Sequence, residues 1–337
     1  MKNITDMKKI IFAAALLISA NAIGQDFHLS QYDASVQYLN PALTGIYLKE
    51  KTDYRINANY RQQWKALTTN PYSTFSGAYD MKYKDKYGIG AFLINNRSGA
   101  GNFNTLSFLA SGAYRIADDE NGPHNLTVGF QMGLFYKSFD PNKFTYDNQY
   151  SESADGFDVS IPSGEIFSKT GIVRFDANLG AFYKYIDESK DYSPFLGFSV
   201  FHITKPNESF TSYKSKMPMH FILHGGCDVK VNDNLKLIPT VLYMNQSKAY
   251  DLNFGLSGWY RIKDTDAEVM LGLNYRWKDA IIIQAGYKQD QHIFRISYDV
   301  NTSYLNAFSG GKGGLEFSLI LCGKKGEPLF KPVSRIN

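Results

Sequence analysis

The chain has 337 residues, a formal net charge of +4, 44% hydrophobic and 15% aromatic content. Its charges are scattered, which argues against a nucleic-acid-binding stripe, and no stretch beyond the N-terminus approaches the ~18 uninterrupted apolar residues of a transmembrane helix. The mean hydropathy of −0.31 looks soluble, but a strand barrel that alternates apolar and polar side chains averages to a similar value.

The chain opens MKNITDMKKIIFAAALLISANAIGQ. Lys2, Lys8 and Lys9 precede an apolar run from Ile10 to Ala20, and Ala22 and Gly24 supply small residues before a cleavage point. Residues 1–24 are therefore expected to be a signal peptide, too short to span a bilayer. Residues 25–51 do not alternate strongly, contain the Asn40-Pro41 turn signal, and carry Phe27, Tyr32, Tyr38 and Tyr47. Four aromatics argue against disorder. The segment is expected to be a periplasmic pre-barrel element that plugs a lumen or docks a partner.

Strict alternation begins at TDYRINANYRQQW (52–64). Tyr54, Ile56, Ala58 and Tyr60 share one face; Arg55, Asn57, Asn59 and Arg61 share the other. The same pattern recurs in 125–137, 172–186, 250–262 and 292–301. The runs are about twice the ~5–6 residues usual for a strand, and near the ~9–11 that cross a bilayer at a tilt. The apolar faces are aromatic at their ends and aliphatic between, as lipid requires. Strands are expected at 53–63, 73–83, 87–95, 104–116, 125–138, 171–186, 193–204, 219–231, 235–245, 250–262, 267–277, 280–288, 292–301 and 314–322. That is an all-β, 14-stranded antiparallel outer-membrane β-barrel over 52–322, closed because backbone groups in lipid must pair. The connections alternate between short, charged turns, assigned to the periplasm, and longer loops, assigned to the outside. The exception is the tight turn 278–279 on the long-loop side. Residues 323–337 form a C-terminal tail.

Chemistry is sparse. Cys227 and Cys322 each sit within an expected strand, several strands apart, and are expected as separate thiols. His220 and His224 share a face but lie ~13 Å apart along a strand, too far for one metal. No G-x-S-x-G elbow occurs, so neither catalysis, a cofactor nor a metal is expected. Arg55, Arg174, Asp176, Arg261 and Arg295, with Arg61 and Arg276, fall on polar faces as candidate lumen charges. They either bind a peptide or plug, or neutralise one another. Trp64, Trp259 and Trp277 are expected as interface anchors. Loop 139–170 carries Asp140, Asp147, Glu152, Asp155, Asp158 and Glu165, and is long enough to fold over the barrel mouth.

Several blocks resemble a known family. Ser30-Gln31-Tyr32, then Asn40-Pro41-Ala42 with Gly45, then Tyr60-Arg61-Gln62-Gln63-Trp64 resemble the opening of the PorP/SprF family of the type IX secretion and gliding-motility apparatus of Bacteroidetes. YGIGAFLINNRSGAGNFNTLSFLASGAYRI (87–116), GFDVSIPSGE (156–165), FDANLGAFYKY (175–185) and GGLEFSLIL (313–321) resemble later family blocks in order. Leu315 stands before Glu316 where the family often has His. The resemblance implies an outer-membrane barrel that exports or retains a secreted cargo at the cell surface. It also implies partners among type IX components or a cargo sorting domain, besides outer-membrane lipid. It marks Gln31, Tyr32, Asn40, Pro41 and Gly45 as a candidate partner or plug segment, and Tyr60, Arg61, Gln63 and Trp64 as a first-strand motif. The alternative is a passive porin or nutrient channel.

Overall fold

The structure, a computed structural model, describes residues 26–48, 52–99, 101–118 and 122–329. The expected signal peptide and residues 330–337 of the tail lie outside the described residues. The strands are β1 (Tyr54–Gln63), β2 (Tyr72–Tyr83), β3 (Tyr87–Ser98), β4 (Phe103–Asp118), β5 (His124–Ser138), β6 (Tyr150–Ser151), β7 (Gly156–Phe157) and β8 (Gly171–Tyr185). They continue with β9 (Tyr192–Phe201), β10 (His220–Lys230), β11 (Leu235–Gln246), β12 (Ala249–Arg261), β13 (Ala267–Arg276), β14 (Ala280–Gln289), β15 (His292–Asn301) and β16 (Lys312–Gly323). All but β6 and β7 form one closed antiparallel barrel, in which β16 returns to pair with β1. No helix among the described residues is long and apolar enough to cross a membrane; the crossing is made by strands.

The fourteen barrel strands match those expected, with ends displaced by at most three residues. One of the two three-residue shifts has a clear cause. Strand β9 stops at Phe201 rather than 204 because His202 turns to a left-handed φ of 58°, which breaks the extended run. The faces follow the alternation. On β1, Ile56 and Tyr60 are 37% and 44% exposed, while Asn57, Asn59 and Arg61 are buried. Phe75, Phe130, Leu134, Phe175 and Phe254 continue the exposed apolar band around the wall. The two cysteines are not joined in a disulfide.

Two girdle expectations are corrected. Trp259 lies between outward Leu256 and Tyr260 at inward parity, and it lines an interior cavity. Trp64 has a left-handed φ of 59°, and its ring sits edge-on to Tyr72 at 4.7 Å, lining the cavity at the long-loop end. Trp277 packs against the outward Tyr275 at 5.9 Å.

The long loop between β5 and β8 is folded. It holds three 3-10 turns and the β6–β7 hairpin. Phe139 gathers Phe167 at 5.0 Å and Phe210, from the next long loop, at 4.8 Å. Two connections on this side are tight, at 247–248 and 277–279.

Residues 26–48 run inside the barrel. Asp26 meets His202, at the long-loop end of β9, and Tyr47 meets Asn125, at the short-turn end of β5. The segment therefore threads the lumen from the long-loop end down to the short-turn end, where β1 begins, rather than extending beyond the short turns. Along it lie a one-turn helix, Val36–Leu39, and a 3-10 turn, Pro41–Leu43. Pro41 stands in the first turn, where its missing N–H costs nothing, and Asn40 caps that turn by accepting from Ala42 N at 2.9 Å.

Candidate functional site

The lumenal segment and its seat form the site. Its polar residues Ser30, Gln31, Ser35, Gln37, Asn40 and Thr44 are all 0% exposed. Buried polar groups require partners, and the barrel wall supplies most of them.

The upper part of the seat is an ionic lock. Arg61 faces Glu316 in register across the β1–β16 seam, with Nη1 and Oε2 3.1 Å apart. Its Nη2 donates to Asp299 Oδ2 at 2.8 Å, and Arg276 Nη2 donates to the same oxygen at 2.8 Å. The segment plugs into this arrangement with its backbone. Ser30 N donates to Glu316 Oε2 at 2.7 Å and Gln31 N to Oε1 at 3.1 Å, while Ser30 Oγ donates to Asp299 at 2.7 Å. Gln31 adds its side chain: Nε2 donates to Ser297 Oγ and to Glu316 O, both at 3.0 Å, and Oε1 accepts from Ser318 Oγ. Charge-assisted bonds of this kind are short and strong. Each carboxylate oxygen is held by a donor.

Lower down, Tyr32 OH donates to Thr240 at 3.1 Å and Asp33 pairs with Arg295 at 2.7 Å. The Asn40–Gly45 turn then presses on the wall. Asn40 Nδ2 donates to Ala181 O at 2.9 Å and to His224 Nε2 at 3.2 Å. Ser199 Oγ donates to Leu39 O at 2.7 Å. Gly45 N donates to Asp80 Oδ2 at 2.6 Å, and Asp80 is gripped through both oxygens by Arg55 at 3.0 and 2.6 Å. The wall under this turn is glycine. A Cβ on Gly88 would overlap Thr44 O, one on Gly129 the Pro41–Ala42 peptide, and one on Gly180 the Asn40 side chain. Gly45 itself has φ 59° and stands against Met81 O, so only glycine fits.

At the upper end, Asp26 Oδ2 accepts from His202 Nε2 at 2.7 Å, and His202 Nδ1 donates to Asp176 at 2.7 Å. His220 approaches the same Asp26 oxygen at 3.4 Å. Burial would push the His202 pKa down, but the two carboxylates raise it to about 10. Burial would raise Asp26, but His202 and His220 hold it well below the usual carboxylate range.

The structure thus brings together Gln31, Tyr32, Asn40, Pro41, Gly45, Arg61, Arg55, Asp176 and Arg295 around one lumenal segment. Gln63 and Trp64 line the cavity above it, and Tyr60 faces outward. Two lumen charges are corrected. Arg261 ends β12 at the short-turn side and is exposed. Arg174 sits at the long-loop rim, where Nε donates to Asn207 O at 2.6 Å and ties down a loop. Sequence reasoning missed Asp80 and Asp299 as partners, and did not assign Glu316 a role. A signal existed. Asp80 and Glu316 lie on the two strands that flank β1 with its inward arginines, and Asp299 lies two strands from both Arg61 and Arg276; an inward charge in a membrane strand needs a counter-charge.

A sequence model of the type IX secretion system membrane protein PorP/SprF family matches residues 21–319. The chain belongs to the PorP/SprF family. No curated protein matches it. Among solved structures, the toluene transporter TbuX of Ralstonia pickettii is similar at a TM-score of 0.50 and 11% identity, covering 86% of this chain and 93% of that one. The P. putida toluene transporter TodX gives 0.49 and 10%, covering 86% and 93%. The CymD monoaromatic hydrocarbon channel gives 0.48 and 11%, covering 88% and 94%. At such identities the likeness to TbuX is one of fold: an outer-membrane barrel. Within this PorP/SprF chain, the segment 30–45, Arg61, Gln63 and Trp64 of the first-strand motif, and Glu316 from the last strand meet in one lumen.

Proposed function

We propose that this PorP/SprF protein is an accessory barrel of the type IX secretion apparatus that binds, exports or retains a secreted cargo at the cell surface. In this reading residues 26–48 are a plug, the short turns face the periplasm and the long loops face outward. Its partners are type IX components or a cargo sorting domain, and it performs no catalysis.

One observation carries the choice over a passive porin. The lumen is occupied by the chain's own segment, hydrogen-bonded along its length from Asp26 to Tyr47. A porin conducts through a polar, water-filled interior, whereas here the middle of that interior is polypeptide.

The test is a tagged pull-down from outer membranes in mild detergent, with mass spectrometry of what remains bound, paired with planar-bilayer conductance. Recovery of type IX proteins or a large surface protein with a barrel that stays closed supports the accessory. Recovery of the barrel alone, with steady ion conductance, overturns it in favour of the porin.

A further inference from the structure

The lumenal segment divides the interior into two chambers. On its long-loop side is a cavity of about 720 Å³, and on its short-turn side one of about 240 Å³; they share no lining residue. The upper chamber is therefore a vestibule. Asp26, Phe27, His28 and Tyr38 form its floor, and loop residues Glu208, Ser209 and Ser215 stand at its mouth. Its volume is within the range of small-ligand sites, ~300–1,000 Å³.

The vestibule has two chemically distinct walls. On one side Phe92, Ile94, Leu109 and Phe201 gather around the floor. The Tyr38 ring lies 5.5 Å from Phe27, 6.0 Å from Phe92 and 6.3 Å from Phe201. The other side is acidic. The lining holds the carboxylates of Asp26, Asp176, Glu208, Asp251 and Asp279, against the fixed cations Lys137 and Arg276. Both cations are engaged. Lys137 is paired with Glu208, and Arg276 with Asp279 at 2.5 Å and Asp299 at 2.8 Å. Asp26 and Asp176 share His202. Among the described residues, Asp251 has a salt bridge only with His28, at 3.9 Å. Burial, and then the fields of Arg276 and Arg61, hold the His28 pKa well below its usual value, so His28 is neutral at pH 7. Asp251 thus faces the vestibule with no Lys or Arg salt bridge among the described residues, although it lies in the field of Arg276. It lies on β12, seven places around the fourteen-strand ring from β3, which carries Phe92. The Asp251 carboxyl group and the aromatic wall face each other across the chamber.

We propose that the vestibule is a peptide-recognition site that takes a cationic side chain against Asp251 and an aromatic side chain, a few residues away, against Phe92, Leu109 and Phe201. The inference rests on the accessory reading, since a secretion accessory handles polypeptide. It adds where the polypeptide is read and by what chemistry. The floor makes this an end-on, reversible grip rather than a passage.

The test uses the full chain purified in mild detergent and fluorescently labelled, capped tetrapeptides, with binding read by anisotropy. The peptide with phenylalanine first and lysine last is expected to bind. Replacing its lysine by glutamate, or its phenylalanine by alanine, is expected to weaken binding at least tenfold. Asp251→Asn is expected to weaken the lysine peptide at least fivefold. Ser107→Trp, which fills the vestibule from an inward lining position, is expected to abolish binding, with heat-modifiable migration checking that each variant is folded. Equal binding of the lysine and glutamate peptides, undiminished binding by Ser107→Trp, or no binding at all overturns the inference. Co-purification of type IX proteins is scored separately. If it persists while the peptides fail, the vestibule site is lost and the accessory stands; if it fails, the accessory reading falls whatever the peptides do.

Discussion

Arg61 of β1 and Glu316 of β16 lie opposite each other in the ladder that closes the barrel, and the Glu316 carboxylate also takes the backbone N–H groups of Ser30 and Gln31. Barrel closure and seating of the lumenal segment are one network. Arg61 is 1% exposed and Glu316 0%. Removing one partner of a buried pair leaves an uncompensated charge, at a cost of about 3–5 kcal/mol. Arg61→Met is therefore expected to lower the unfolding free energy of the detergent-solubilised barrel by that order, read as a lower denaturant midpoint. Arg61→Lys keeps the charge but cannot reach Asp299 and Glu316 together, and is expected to fall between. A midpoint unchanged in Arg61→Met would show that the network contributes little.

The glycine seat gives a different kind of variant. Gly88, Gly129 and Gly180 face inward and touch the Asn40–Gly45 turn. Gly129→Val places a branched side chain where the Pro41–Ala42 peptide lies. The strand can accept valine in its extended conformation, so the barrel is expected to form while the turn is displaced. The expected readouts are a gain of ion conductance and new protease cleavage within 26–48. Gly112 is the control. It has only Gly88 O near its missing Cβ, at 3.8 Å, and Gly112→Ala is expected to behave as wild type. A silent Gly129→Val would mean that the turn does not depend on this close approach.

These two networks also mark what could be read in the sequence. Period-two alternation is local, so TDYRINANYRQQW and its counterparts gave both the strand count and the faces. Even Gly129 and Gly180 were visible as polar-face positions. What alternation cannot carry is contact between distant segments. Ser30 meets Glu316 across 286 residues, and no periodicity encodes that pairing. The partners of Arg55 and Arg61 needed strand adjacency, β2 and β16 flanking β1, together with the rule that inward charges pair. The resemblance placed Ser30-Gln31, Arg61 and Glu316 in family-like blocks without showing that they touch. Parity alone would place Trp259 in the interior, but a compositional rule about tryptophan at strand ends made it an interface anchor and failed. Trp64 was lost to a left-handed backbone that alternation does not foresee.

The Asp26–His202–Asp176 cluster makes the upper end of the segment sensitive to pH. The His202 pKa is raised from 6.5 to about 10. A raised cationic group contributes stability that is full below its unfolded value and lost as pH rises through its folded value. Asp26 is depressed below 3.8, so its share is full above that value and lost only in stronger acid. Anchoring of Asp26 is thus expected to be complete between roughly pH 4 and 6.5 and to weaken progressively towards pH 10. Acrylamide quenching of a Phe27→Trp reporter, with the three native tryptophans replaced by phenylalanine, is expected to rise over that alkaline range. His202→Gln is expected to flatten the dependence. Quenching that rises in acid instead would reverse the assignment of the charged partner.

Deleting residues 26–45 separates the barrel from what fills it. The fourteen strands pair with one another around the whole ring, so the wall keeps its backbone hydrogen bonds without the segment. Asp80 keeps Arg55, and Asp299 and Glu316 keep Arg61. The inward groups that lose partners, such as Ser199 and His224, would face a lumen open to water rather than a dry interior, so their cost is small. The deleted protein is therefore expected to remain a heat-modifiable barrel, to conduct ions, and to lose its partners in the outer-membrane pull-down. Each outcome isolates one step of the argument. A barrel that fails to form makes the segment a folding element. A barrel that forms without conducting has a second obstruction. A barrel that conducts and still captures its partners moves recognition from the lumenal segment to the long loops.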